Sequence, residues 1–157
     1  MFKYYFLFVA FILLCFQLNL YSETTSFKFC FWPNAGIPLT EEVDGGCIGF
    51  ITYGKVEGID IGIVSLTKDV TGGKIALITN GKTAKGIELG IANFQREMSG
   101  FQAGIYNRST SFRSGAQLGI VNKSNNSGGM QFGIINIMKN GFTRIFPLFN
   151  FPSKWLF

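Results

Sequence analysis

The chain has 157 residues, a formal net charge of +5 and no histidine. That length fits one domain able to bury a core, and the missing imidazole removes the commonest general base, the Ser–His and Cys–His nucleophile pairs and most zinc sites. The basic residues are scattered through KTAK, NRSTSFRS and NKS with no run of five, so nucleic acid is not expected as a partner.

Residues 1–22 read as a secretory signal peptide forming an apolar helix. MFK supplies a positive charge, YYFLFVAFILLCF is an uninterrupted apolar run, and QLNLYS ends it before Glu23. The run is too short and too close to the terminus for a spanning helix; a retained N-terminal anchor is the competing reading. Lipidation would need the cut at Cys15, and the bulky Leu14 before it argues against that. The exported chain keeps Cys30 and Cys47. An oxidising compartment permits one disulfide between them, and two buried free thiols fit the sequence equally well. Residues 23–44 form an N-terminal cap segment, in which FKFCFWP (27–33) alternates apolar residues with period two.

Residues 45–142 form a repeat domain. One octapeptide recurs seven times: GGCIGFIT (45–52), GIDIGIVS (58–65), GGKIALIT (72–79), GIELGIAN (86–93), GFQAGIYN (100–107), GAQLGIVN (115–122) and GMQFGIIN (129–136). The leading glycines step by 13, 14, 14, 14, 15 and 14 residues. A short fixed period means stacked units, none of which can bury its apolar face alone. Positions two, four and six are mostly apolar, an alternation that indicates strands with one buried face. The connectors are rich in Gly, Ser, Asn and Lys and read as turns. The predicted fold is all-β, a β-solenoid with a fourteen-residue sequence period; an antiparallel meander or barrel is the alternative. Because a six-residue connector barely returns the length of an eight-residue strand, two octapeptides are expected per coil of 28 residues, with two sheets enclosing the Ile/Leu layers. Residues 143–157 are a C-terminal cap and tail. There FPLFN (146–150) matches FGIIN (132–136), with Pro147 in place of the central glycine, and proline belongs on an outer edge strand.

The columns of the repeat carry further expectations. Asn93, Asn107, Asn122 and Asn136 close the last four copies and can hydrogen-bond as a stacked ladder. With positions two, four and six inside, the alternation places Gln102, Gln117, Gln131 and the central glycines Gly104, Gly119 and Gly133 outside. They would line a trench that serves as an interaction face. No catalytic residue, metal site or cofactor is expected. The acids fall in different copies without a recurring spacing, and Gly72-Gly73-Lys74 lacks the remaining glycine and the helix of a phosphate loop. NRS, NKS and NNS match the glycosylation triplet but are explained by repeat asparagines running into Ser-rich turns.

The pattern G-x-Q-[IL]-G-[IL]-x-N with its fourteen-residue step resembles the surface-repeat proteins of Leptospira-type spirochaetes, and FPLFNF (146–151) is similar to the way those proteins end. Copies one and three depart from the pattern, closing in Thr52 and Thr79. The resemblance implies an exported protein at the cell surface or outer membrane, or secreted, and says little about activity. A non-enzymatic scaffold or adhesin-like module is therefore expected, with a protein or surface ligand as partner. Peripheral outer-membrane association and self-association limited by the caps go with it; an outer-membrane β-barrel is the alternative.

Overall fold

The computed structural model describes residues 24–32 and 35–156; the segment read as a signal helix lies outside the described residues. Strand β1 (Thr24–Trp32) opens the structure and β2 (Ala35–Ile37) folds back on it. Two very long stretches of extended chain follow, β3 (Glu42–Leu89) and β4 (Ala92–Ser127), then β5 (Met130–Met138) and β6 (Ile145–Asn150). A short 3₁₀ turn at Ser153–Trp155 ends the chain. No strand of 48 residues runs straight. The chain winds into a β-solenoid of about eight turns.

The register sets the size of each turn. Ile78 pairs with Ala92, Gly86 with Gly100 and Leu89 with Ala103, all in parallel; Ala116 pairs with Met130 and Asn122 with Asn136. The coil is therefore fourteen residues, with one octapeptide per coil, and the expected 28-residue coil with two octapeptides is corrected. The octapeptide is not one straight strand, so its connector never has to return the full strand length. The glycine that opens each copy makes a corner. Gly58, Gly72, Gly86 and Gly100 have φ between 122° and 135°. A Cβ on any of them would lie about 2 Å from the carbonyl oxygen of the glycine one coil earlier, so only glycine can occupy this corner. Parallel pairing throughout β3, β4 and β5 also separates this fold from the antiparallel meander or barrel.

The inside and the outside are reversed from the sequence expectation. Gln102, Gln117 and Gln131 are fully buried, while Leu118 is 50% and Ile120 47% exposed. Period-two alternation distinguishes two faces, and hydrophobicity ordinarily decides which is inside. Here the lumen of a fourteen-residue coil is too narrow for large aliphatic side chains from every inward position. It is filled by glycine, by stacked amides, hydroxyls and charged groups, and by one apolar file. That file runs through Val43, Val56, Val70, Ala84, Met98 and Phe112, all buried.

Both ends of the sheet abandon the parallel order. At the start, β2 pairs antiparallel with β1; at the finish, β6 pairs antiparallel with β5, Phe132 facing Phe149 and Gly133 facing Leu148. The alignment of Pro147 with the central glycine of an eighth parallel copy is thus corrected: the chain reverses near Gly141. Phe142, Phe146, Phe149 and Phe151 then stack over the end, with ring centroids 4.7–6.3 Å apart.

Gln117→Leu should destabilise the protein more than Leu118→Ser, although leucine is the larger apolar group. The first change leaves the Gln102 side-chain oxygen without its donor, costing about 1–3 kcal/mol for a buried group left unpaired. The second alters an exposed position, where effects usually stay within about 0.5 kcal/mol. Thermal denaturation in dilute solution measures both, and equal losses would contradict the observed orientation.

Candidate functional site

The third and eighth positions of the repeat point into the lumen and stack from coil to coil. In the C-terminal half the third-position file is built of amides. Gln131 Nε2 donates to Gln117 Oε1 at 2.7 Å, Gln117 Nε2 to Gln102 Oε1 at 2.6 Å, and Gln102 Nε2 to Glu88 Oε2 at 2.7 Å. Every N–H points toward the N-terminal end, and the file finishes on a carboxylate, the strongest acceptor available to it. The asparagine file runs the other way: Asn93 donates to Asn107, Asn107 to Asn122 and Asn122 to Asn136, at 2.8–2.9 Å. Each of these three amides also donates to a backbone carbonyl, of Ala103, Leu118 and Phe132 respectively. An amide offers two donors and an acceptor with two lone pairs, which is why a column of one residue type satisfies itself.

The central glycine follows from this file. A Cβ on Gly119 would lie 2.4 Å from the Gly104 carbonyl oxygen and 2.5 Å from Asn107 Nδ2. The glycine thus makes room for the amide. In copy three, where Ala76 replaces it, the file nearby is built from the shorter Ser65 and Thr79, both buried.

In the N-terminal half the same third position carries charge. Asp60, Lys74 and Glu88 stand in consecutive coils, all buried. Asp60 Oδ2 accepts from Ser65 Oγ at 2.6 Å and Thr67 Oγ1 at 2.9 Å, and Glu88 Oε1 accepts from Gln95 Nε2 and Thr79 Oγ1 at 2.5 Å each. The Lys74 ammonium lies between the two acids and has no hydrogen-bond partner. Burial pushes it below the ordinary lysine value, opposed by attraction to Glu88 and then Asp60. Along the chain the acids show no recurring spacing, but by repeat position the third column contains only charges and amides after Cys47.

The cap adds a thiol pair. Cys30 and Cys47 are buried with their sulfurs 3.1 Å apart, and Lys28 donates from Nζ to the Thr40 carbonyl while lying 3.8 Å from the centre of the Tyr53 ring. The cysteines are free thiols here. The hydrogen bond from the Cys47 thiol, more than the nearby Lys28 charge, pushes Cys30 down to about 7, against the effect of burial. The Cys47 thiol is pushed up by the same bond and by burial. Of the two thiols, Cys30 is the one that loses its proton first, and Cys47 keeps its own. Among the described residues, no group of three or more His, Cys, Asp or Glu is placed to hold a metal ion.

The outer surface is the complement of this interior. Positions two, four and six of all seven copies face outward, and each of the twenty-one is apolar or glycine. Position six is exposed in every copy, from Phe50 at 63% through Ile91 at 50% to Ile134 at 63%. Between columns four and six the backbone of the central glycines forms the floor of a trough. Its C-terminal part has a volume of about 470 Å³ and is lined by Ala103–Ile105, Leu118–Ile120, Phe132–Ile134 and Leu148. The expected trench therefore exists over Gly104, Gly119 and Gly133, but with apolar rims; the glutamines assigned to it are corrected to the lumen, where the amide file holds them. Compared with protein families, curated proteins and solved structures, the chain matches none.

Two expected outcomes follow from the buried groups. Diamide should close Cys30 and Cys47 to a disulfide, the two thiol hydrogens passing to the reagent, so that intact mass falls by two hydrogens and the melting temperature rises. The reaction should accelerate as pH rises through about 7, where the Cys30 thiolate forms; an unchanged mass would show the sulfurs cannot approach. For Lys74, the folded value lies below the unfolded 10.5. Below the folded value both states are protonated and the buried ammonium exerts its full cost. Between the two values the unfolded chain binds more protons, so stability rises with pH in that window. Lys28 shifts in the same direction, again through burial. Lys74→Met should therefore flatten, without abolishing, the alkaline rise seen in thermal melts; an unchanged slope would mean that Asp60 and Glu88 keep the ammonium charged.

Proposed function

We propose that the protein is a non-enzymatic, exported scaffold or adhesin-like module that works by association through its apolar face. One observation carries this reading: an unbroken apolar surface, three columns wide and seven copies long, displayed on a rigid stack. Soluble monomers rarely expose contiguous apolar patches beyond a few hundred Å², and larger ones mark interaction sites. The groups with chemical potential point the other way. Asp60 and Glu88 are sealed in the lumen on hydrogen bonds from neighbouring side chains, and Lys74 is sealed there between them. The leading segment 1–22 and the likeness to spirochaete surface-repeat proteins support placement at the cell surface or outer membrane.

The reading is tested in the producing cell. A variant carrying Ile91→Lys, Ile105→Lys and Ile120→Lys changes three exposed positions and none in the lumen. Wild-type protein is expected at the surface, accessible to added protease and retained with the envelope. The variant should be exported equally and released to the medium. Wild-type protein found inside the cell, or equal retention of the two, would overturn the proposal.

A further inference from the structure

Resting on that reading of the apolar face, we infer that its partner is a second copy of this chain, docked face to face with the two solenoid axes parallel. Two copies present matching lattices. Successive coils stand about 4.8 Å apart, and side chains two residues apart on a strand about 7 Å apart. The face is thus a grid of knobs, its ridges at columns two, four and six and its troughs over positions three and five. A partner fits knob by knob along the whole length only if it has the same step, and another copy has it by construction.

A two-fold axis parallel to the stack allows full interdigitation. When column four of one copy enters the glycine trough of the other, symmetry places the reciprocal column four in the first copy's trough. The same operation drops column six of each copy into the trough between columns two and four of its mate. The contact is isologous and closed. An antiparallel axis across the face instead sets ridge upon ridge.

Extent and charge agree. The face continues past the repeats onto both caps, where Phe27, Phe29, Phe31, Leu148 and Phe149 are exposed. Nine rungs at about 4.8 Å make it roughly 40 Å long and about 15–20 Å wide. That is roughly 600–800 Å² per partner, within the range of stable interfaces. The cationic column at position eleven, Lys55, Lys68, Lys82 and Arg96, lies outside these three columns, so docking brings no like charges into the contact.

Sedimentation velocity on the purified protein tests this, with the expected result a dimer at micromolar concentration. Leu118→Glu, at an exposed position, should yield monomers with an unchanged circular dichroism spectrum. Ala103→Cys, in column four beside the two-fold axis, should cross-link to its own counterpart on oxidation. A wild-type monomer overturns the inference, as does a dimer indifferent to Leu118→Glu. A dimer in which Ala103→Cys fails to cross-link overturns the parallel arrangement. A monomer that floats with phosphatidylcholine vesicles would assign the face to lipid; the dimer would then fall while face-dependent surface retention, and with it the proposed function, would stand.

Discussion

The structure depends on one constraint, the narrowness of a coil that closes in fourteen residues. A coil this tight brings opposite walls close enough for side chains to meet the backbone across the lumen. Glycine is then required at the corner of each copy and, where the lumen holds an asparagine, opposite it as well. The remaining space suits flat, short polar groups that stack along the axis, because coils about 4.8 Å apart let an amide in one reach the amide in the next. Burying an amide in isolation is costly; burying a column of amides that bond one another is not. The interior is polar because the period is short.

That inversion explains why the sequence was legible in some respects and misleading in others. Period, strand character, the stacked architecture and the asparagine column could all be read from seven aligned copies, since each is a property of repetition. Handedness of the pleat with respect to the core could not. Ile87, Leu89 and Ile91 alternate with Glu88 and Gly90 as they would in any half-buried strand, and nothing in one strand distinguishes an aliphatic core from an aliphatic exterior. The distinguishing signal lies between copies: Glu88, Gln102, Gln117 and Gln131 are each able to pair with the copy before, whereas a solvent-facing column would tolerate any polar residue. Coil size is hidden for a related reason. Eight alternating residues read as one straight strand, and the corner glycines bend it.

Within the lumen the two halves of the stack use different chemistry to the same end. From Gln102 onward the third-position file is neutral, each amide donating to the copy before it. Before it, the file alternates Asp60, Lys74 and Glu88, so that attraction between neighbouring coils replaces the amide bonds. Charge is the more demanding solution, since an ammonium without a hydrogen-bond partner bears a large desolvation cost. Glu88 joins the two regimes, taking the Gln102 amide on one oxygen and Gln95 and Thr79 on the other. It is the residue whose removal would disturb both halves at once.

The caps bear on the direction of the proposed association. A parallel solenoid with bare ends offers an unpaired strand at each, and growth along the axis would follow. Here β2 and β6 turn antiparallel, and a layer of phenylalanine rings covers the C-terminal end. The same caps leave the lateral face uncovered and lengthen it with their own exposed aromatic and aliphatic side chains. Along the axis a reversal of strand direction breaks the repeat; across the proposed lateral contact the repeat continues through the caps in side-chain character though not in strand order. Folding alone does not require the terminating elements to extend that surface, and the proposed association along it supplies a reason.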